Sequence, residues 1–199
     1  MKTIKQIFII SMMMIFISIL VIGCQQNPTS ADSRMTTEQG AASKDLKIIN
    51  YNSELNGLKK VVTCTKWVTW QDGAELKLAC KGDNSEAVKL VLKVLQHTIS
   101  QDAELSISMD DAQLSGNFDM VFLPHGVTFS SPALLNIEAK NLDISGISPD
   151  EINIYYDNQE TGQWEVMNSK EIIVKVDEGY IKIVDAELPH FSRYAIGLE

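Results

Sequence analysis

Leu135-Asn136-Ile137-Glu138-Ala139, preceded by Phe118-Asp119-Met120-Val121-Phe122 and followed by Ile152-Asn153-Ile154-Tyr155-Tyr156, sets apolar residues at alternate positions. A period of two gathers such residues on one face of a pleated strand, whereas a helix would scatter them around its axis. Outward from these runs, short segments of the same kind recur from about Asp45 onward, bounded by Gly, Asn, Asp or Pro. Ile173 to Val176, then Asp177-Glu178-Gly179, then Tyr180 to Val184 read as a hairpin whose glycine takes the positive φ. Val88 to Leu95 (VKLVLKVL) is ambiguous, because Lys89 and Lys93 share a face at i, i+4 on a helix and on a strand alike. Its valines favour the strand. No capped helix pattern of any length and no internal repeat is present. The expectation is an all-β chain, an antiparallel β-sandwich over residues 45–199, within the size of a single domain.

Composition agrees with a folded globular protein. Of 199 residues, 45% are hydrophobic and 22% charged, with 17 Lys plus Arg against 26 Asp plus Glu. The formal charge of −9 excludes bulk electrostatic capture of nucleic acid and argues against a polybasic membrane patch.

The N-terminus carries an address. Lys2 and Lys5 form a positive n-region, and an apolar stretch from Ile7 to Ile22 is interrupted by Ser11 and Ser18 alone. That stretch is short for a membrane-spanning helix, which needs about 20 residues, and has the shape of a secretory signal peptide. It ends in Val21-Ile22-Gly23-Cys24, which resembles the lipobox of bacterial lipoproteins. The resemblance implies cleavage after Gly23 and fatty acylation (diacylglyceryl, palmitate-type chains) of Cys24. An uncleaved anchor would need a basic stop-transfer cluster, but Gln25-Gln26-Asn27-Pro28 follows; a plain secreted protein would make Cys24 a coincidence. Removing 1–23 deletes two lysines and no acid, so 17 basic residues become 15 against 26 acidic, a formal −11. Residues 24–44 read as the lipidated cysteine and a disordered linker. Gln25 to Ser43 is polar, with Met35 its sole large apolar residue, and as a flexible coil reaches roughly 25 Å. The expected location is a bacterial cell membrane or outer membrane, with the domain facing outside the cytoplasm.

Cys64 and Cys80 remain. The segment between them reads as strand, turn, strand. A three-residue loop Gln71-Asp72-Gly73 makes opposing positions sum to 144, as 64 and 80 do, so the two would face each other across a hairpin within disulfide reach. Export favours a bond, worth about 3 kcal/mol by loop entropy. The alternative is two buried thiols. No metal site is expected, since three scattered histidines (His97, His125, His190) offer no ligand spacing.

Leu123-Pro124-His125-Gly126-Val127-Thr128-Phe129-Ser130-Ser131-Pro132-Ala133 resembles the Pro-x-Gly-x-x-Phe-x-x-Pro signature of the ZU-five-type domain of ankyrins and netrin receptors. Tyr155-Tyr156-Asp157, Gly162-Gln163-Trp164-Glu165-Val166 and Pro189-His190-Phe191-Ser192-Arg193-Tyr194-Ala195 resemble its later strands, so the match spans roughly 118–196. The earlier part departs from it: Leu95-Gln96-His97-Thr98-Ile99 stands where the family often has Pro-x-Gly-Ala. The resemblance implies a β-sandwich with a scaffold or binding role and no enzyme. In this reading Pro124-His125-Gly126 makes a tight turn, Phe129 plugs the core and Pro132 opens the next strand.

One motif carries chemistry. In some relatives of this fold a His-Phe-Ser sequence is cut by its own serine, which would assign His190 as base and Ser192 as nucleophile on the Phe191 carbonyl. The bland reading makes Phe191 and Tyr194 core aromatics beside a capping His190. Asp110, Asp111, Asp143, Asp150 and Glu151 read as solvated acids, because none fits a calcium loop. Trp67 and Trp70, three apart, would face opposite ways on a strand, one core and one exposed. The functional expectation is a lipid-anchored, non-enzymatic interaction module in the cell envelope that needs no cofactor and binds an envelope or extracellular protein or glycan. The alternative is self-processing at Phe191–Ser192.

Overall fold

The computed structural model describes residues 46–51, 61–81, 86–109 and 117–198. The leader, Cys24, the linker, Asp110 and Asp111 lie outside the described residues. The strands are β1 (Lys47–Ile48), β2 (Asn50–Tyr51), β3 (Val62–Val68), β4 (Ala74–Lys81), β5 (Glu86–Val94), β6 (Ala103–Met109) and β7 (Asp119–Leu123). They continue as β8 (Thr128–Ala139), β9 (Leu142–Asp143), β10 (Ile152–Asn158), β11 (Gln163–Val166), β12 (Glu171–Lys175), β13 (Tyr180–His190) and β14 (Arg193–Leu198). A seven-stranded sheet runs β11-β10-β14-β7-β6-β3, with β1 also on β14. A five-stranded sheet runs β12-β13-β8-β5-β4, and β2 pairs with β9. The pairings are antiparallel, as an all-β sandwich requires.

Alternation explains the layers. On β5, Val88, Leu90, Leu92 and Val94 are buried while Lys89 and Lys93 are exposed, so VKLVLKVL obeys period two and is a strand. On β8, Ala133, Leu135, Ile137 and Ala139 take the buried positions, and Leu105, Ile107, Phe122, Ile154 and Ile196 do so on the seven-stranded sheet. Burying a side chain of Leu, Ile or Phe size contributes about 1.5–3 kcal/mol, so these facing rows supply most of the cohesion. The β12–β13 hairpin forms with a turn one residue longer than its sequence reads, because Val176 leaves the strand for the turn. Lys175 pairs with Tyr180, and Gly179 closes the turn at φ 57°.

Two sequence expectations are corrected. The first is the hairpin carrying Cys64 and Cys80. Its turn is closed by a Thr69–Gly73 bridge, one position earlier than a Gln71-Asp72-Gly73 loop requires. Pairing then stops: β3 goes to β6 in one sheet and β4 to β5 in the other. The two cysteines therefore face one core from the edge strands of different sheets, both buried, and no bond joining the two is seen. The second is Pro132, which does not open a strand. β8 starts at Thr128, and its ladder with β13 is interrupted between Ala133–Leu188 and Thr128–His190. Its ladder with β5 extends no further than Leu134–Lys93. Pro132 thus sits in a bulged stretch where a missing N–H leaves no ladder bond unmade.

Polar groups reinforce the sheets at two points. Arg193 on β14 donates to Asp119 on β7 through Nε (3.0 Å) and Nη2 (2.6 Å), with the Asp119 side chain 1% exposed. Arg193 also lies 5.4 Å from the centre of the Trp164 ring on β11 and 3.9 Å from Asp157 on β10, which links four adjacent strands. On the other sheet Asp185 takes a positive φ of 49° at a bulge in β13. Asn136 holds it there: its Nδ2 donates to Asp185 Oδ1 at 3.1 Å, and its Oδ1 accepts the Asp185 N–H at 3.2 Å. Asn136→Ala removes both bonds and leaves the bulge N–H without that acceptor. We expect a loss of about 1–2 kcal/mol, read as a lower urea midpoint with an unchanged slope.

Candidate functional site

Three segments meet at one end of the sandwich: the turn 69–73, the loop 95–102 and the start of β8. Gly73 has φ 66°, and a Cβ there would lie 2.2 Å from the Val94 carbonyl oxygen, so a side chain is excluded and the turn seats directly on the end of β5. Thr69 Oγ1 donates to Asp72 Oδ2 at 2.9 Å and closes the turn internally. The Trp70 N–H donates to Asp102 Oδ1 at 2.9 Å, while the Trp70 carbonyl accepts the His97 N–H at 2.7 Å. His97 adopts φ 60°, uncommon for a residue with a side chain, and its ring lies 4.9 Å from that of Trp70. Behind it, Ser130 donates its N–H to Thr98 O (2.9 Å) and its hydroxyl to His97 O (2.6 Å). Thr98 is fully buried.

This anchored end carries much of the large apolar surface left open. Trp67 is 62% exposed, Leu95 51%, Trp70 41% and Leu123 38%. The expectation that one of the two tryptophans is core therefore fails. Trp67 projects outward from edge strand β3, cross-strand from Glu104, and Trp70 has already left the strand for the turn. The clue was the Asp72-Gly73 turn signal, which puts Trp70 off any strand.

The chain enters at the opposite end. Lys47 pairs with Leu198 and Ile48 with Gly197, at the far end of β14. Arg193, Val121, Ser108 and Thr63 form one cross-strand row. Gly197 lies four residues below that row and Trp67 four above it, so about 26 Å of strand separates them.

The predicted reactive pair lies among packed aromatics at the β13–β14 connection. Ser192 is buried, and its hydroxyl donates to the Asp157 carbonyl at 3.1 Å. The His190 ring lies 4.9 Å from the Tyr156 ring and 6.5 Å from that of Tyr194, whose hydroxyl donates to the His190 carbonyl at 2.5 Å. The carbonyl of the Phe191–Ser192 peptide accepts from the Gly126 N–H (3.3 Å), and the following carbonyl, that of Ser192, accepts from the Phe122 N–H (3.0 Å). Phe129 closes edge-on against Phe191 at 5.1 Å, plugging that end of the core while itself half-buried.

Beside His190, Tyr156 donates to Glu165 Oε2 at 2.7 Å, and Asn158 Nδ2 donates to Glu165 Oε1 at 2.6 Å. Burial, then the Glu165 carboxylate, push the Tyr156 hydroxyl up to about 12. The hydrogen bonds from Tyr156 and Asn158 hold the Glu165 carboxyl below its usual range. Burial likewise raises the Tyr194 hydroxyl. Asp143, Asp150 and Glu151 are exposed, and among the described residues no His, Cys, Asp and Glu group is arranged to hold a metal ion.

No known protein family, curated protein or solved structure matches this chain.

Two measurements check these assignments. Gly73→Ala adds a Cβ where the backbone leaves no room, at a positive φ. We expect destabilisation of about 2 kcal/mol or more, with the Trp70 fluorescence environment changed before global unfolding. Glu165 has a lowered folded pKa, so its contribution to stability is complete above the unfolded glutamate range near 4.5 and is lost as pH falls through the folded value. In urea unfolding, Glu165→Gln should be less stable than the parent at neutral pH, and the gap should close under acid conditions.

Proposed function

We propose that the protein is a lipid-anchored, non-enzymatic interaction module of the bacterial cell envelope, with acylated Cys24 in the membrane and the tryptophan-bearing end presented to a partner outside the cytoplasm. The observation that carries this is the placement of Trp67 and Trp70 on a rigid surface at the end opposite the point where the chain enters. A rigid site loses little entropy on binding, and exposed tryptophans are strong anchors at interfaces. The order of n-region, apolar region and lipobox supports the anchor. The resemblance of residues 118–196 to ZU-five-type domains supports a binding role on a sandwich scaffold. The hydroxyl of Ser192 directed at a carbonyl lends nothing to the self-processing alternative.

Intact mass spectrometry of protein extracted from its own membrane tests these points together. The expected species is residues 24–199 plus acyl chains. A species ending at Phe191 would restore the self-processing reading. Cys24→Ala should move the protein from the membrane to the soluble fraction; retention in the membrane would remove the anchor. A photo-reactive residue at Gln71 should form adducts in intact cells that the same probe at Lys182, on the outer face of the five-stranded sheet, does not form. Equal labelling at both positions would remove the assignment of the surface.

A further inference from the structure

Taking that end of the sandwich as a binding surface, we propose that its ligand is a neutral polysaccharide chain, with Trp67 and Trp70 stacking on sugar rings and the carboxylates of Glu104 and Asp102 accepting their hydroxyls. Each tryptophan position neighbours an acidic one: Trp67 is cross-strand from Glu104, and the main-chain N–H of Trp70 donates to Asp102 Oδ1 at 2.9 Å. Asp102 and Glu104 are two positions apart on extended chain at the start of β6, both exposed, and so about 7 Å apart along one face. A tryptophan position next to an acidic one therefore occurs twice, in line.

That pairing of chemistries suits a sugar better than other occupants. A pyranose ring has apolar C–H faces and a rim of hydroxyls, so it needs a flat apolar platform with hydrogen-bond acceptors at its edge. The core of a protein interface is depleted of carboxylates, and here two of them occupy positions neighbouring the anchors. An anionic membrane surface or polyanion would be repelled by Asp72, Asp102 and Glu104. The nearby cation, Lys66, donates instead to the Glu75 carbonyl at 3.2 Å. Two units in line indicate an oligosaccharide rather than a single ring.

The platform is also held before any ligand arrives. The Trp70 backbone is bonded on both sides, Gly73 seats the turn against Val94, and His97 keeps a left-handed backbone that places its ring against Trp70. A costly backbone conformation at an exposed position, with no core to fill, is the kind of strain that marks a site.

The test is isothermal titration of the full-length acylated protein in detergent with three soluble probes: the hexasaccharides of β-1,4-linked N-acetylglucosamine, β-1,4-linked glucose and α-linked mannose. We expect saturable binding to at least one, unchanged from low salt to about 0.5 M, where exposed charge interactions are screened. Trp67→Ala and Trp70→Ala should each weaken it about tenfold or more, and Glu104→Gln several-fold. The thermal midpoint of Trp67→Ala should stay close to the parent value, because that ring lies outside the core. Lys182→Ala should bind as the parent does. Failure of all three probes overturns the glycan assignment, as does affinity untouched by both tryptophan changes, or a preference for polygalacturonate that salt abolishes. If the glycans fail while the probe at Gln71 still forms adducts with a protein in cells, the ligand is a protein and the binding surface stands. If both fail, the surface falls with the ligand.

Discussion

The approach of Gly73 to the Val94 carbonyl is the constraint from which much of the architecture follows. At that point the chain leaves one sheet and enters the other, and the contact is too close for any Cβ. Because the turn sits on the end of β5 instead of leading into a continued hairpin, β3 is free to pair with β6 and β4 with β5. The crossing therefore closes one side of the sandwich, brings both buried cysteines to one core from opposite sheets, and projects Trp70 beyond the last ladder bond. Fold and candidate site share a single backbone contact.

The other side of the molecule is secured by different means. The Asp119–Arg193 pair, with its carboxylate almost wholly removed from water, lies on the outer face of the seven-stranded sheet and connects β7 to β14. A buried carboxylate is expensive without its cation, so this pair is better understood as fixing which strands lie side by side than as a large net source of stability. Beyond it, Tyr156, Asn158 and Glu165 satisfy one another across the β10–β11 hairpin. Tyr156 thereby has its polar atom accounted for while its ring packs toward His190 and Tyr194. These residues carry the polar and aromatic character that gives the C-terminal part its motif-like appearance. Their observed bonds are structural, and the hydrogen of Ser192 is directed to a main-chain carbonyl.

The strands were legible because alternation is a local property. Val88–Val94 shows this best: lysines at 89 and 93 fit either helix or strand, and the buried Val88, Leu90, Leu92 and Val94 between them settle the period. Sheet membership was not legible. A hairpin and a crossing between sheets both read as strand, turn, strand, and the difference lies in whether the ladder continues, which distant partners decide. The cysteine geometry failed for that reason, with the turn one residue earlier than expected and the strands diverging after a single bridge. Pro132 was misplaced in the same way, since a proline at the start of a strand and one inside a bulge look alike until the neighbouring ladders are known. The candidate site was the least legible part. Trp67 and Trp70 were visible as residues, and the Asp72-Gly73 turn signal bears on Trp70, but the exposure of Trp67 depends on a cross-strand register that no local pattern encodes.

The position of the surface bears on how an anchored protein would use it. With the chain entering beside Leu198 and the tryptophans about 26 Å away along the strands, the long axis of the sandwich separates the two. On the proposed anchoring, a flexible linker of roughly 25 Å mean reach would let the domain tilt and swing above the lipid. A chain cleaved after Gly23 would carry a formal −11, which would add repulsion from an anionic bilayer and favour the extended arrangement further. Rigid anchoring of the turn and loop then matters more than it would in a freely diffusing protein. Such a tether would confine the domain to a thin layer and raise its effective concentration against material in reach, so individually weak contacts would hold when several copies engage one long polymer. A shallow, two-tryptophan surface is poorly suited to capturing a small ligand tightly and well suited to that kind of repeated, low-affinity contact.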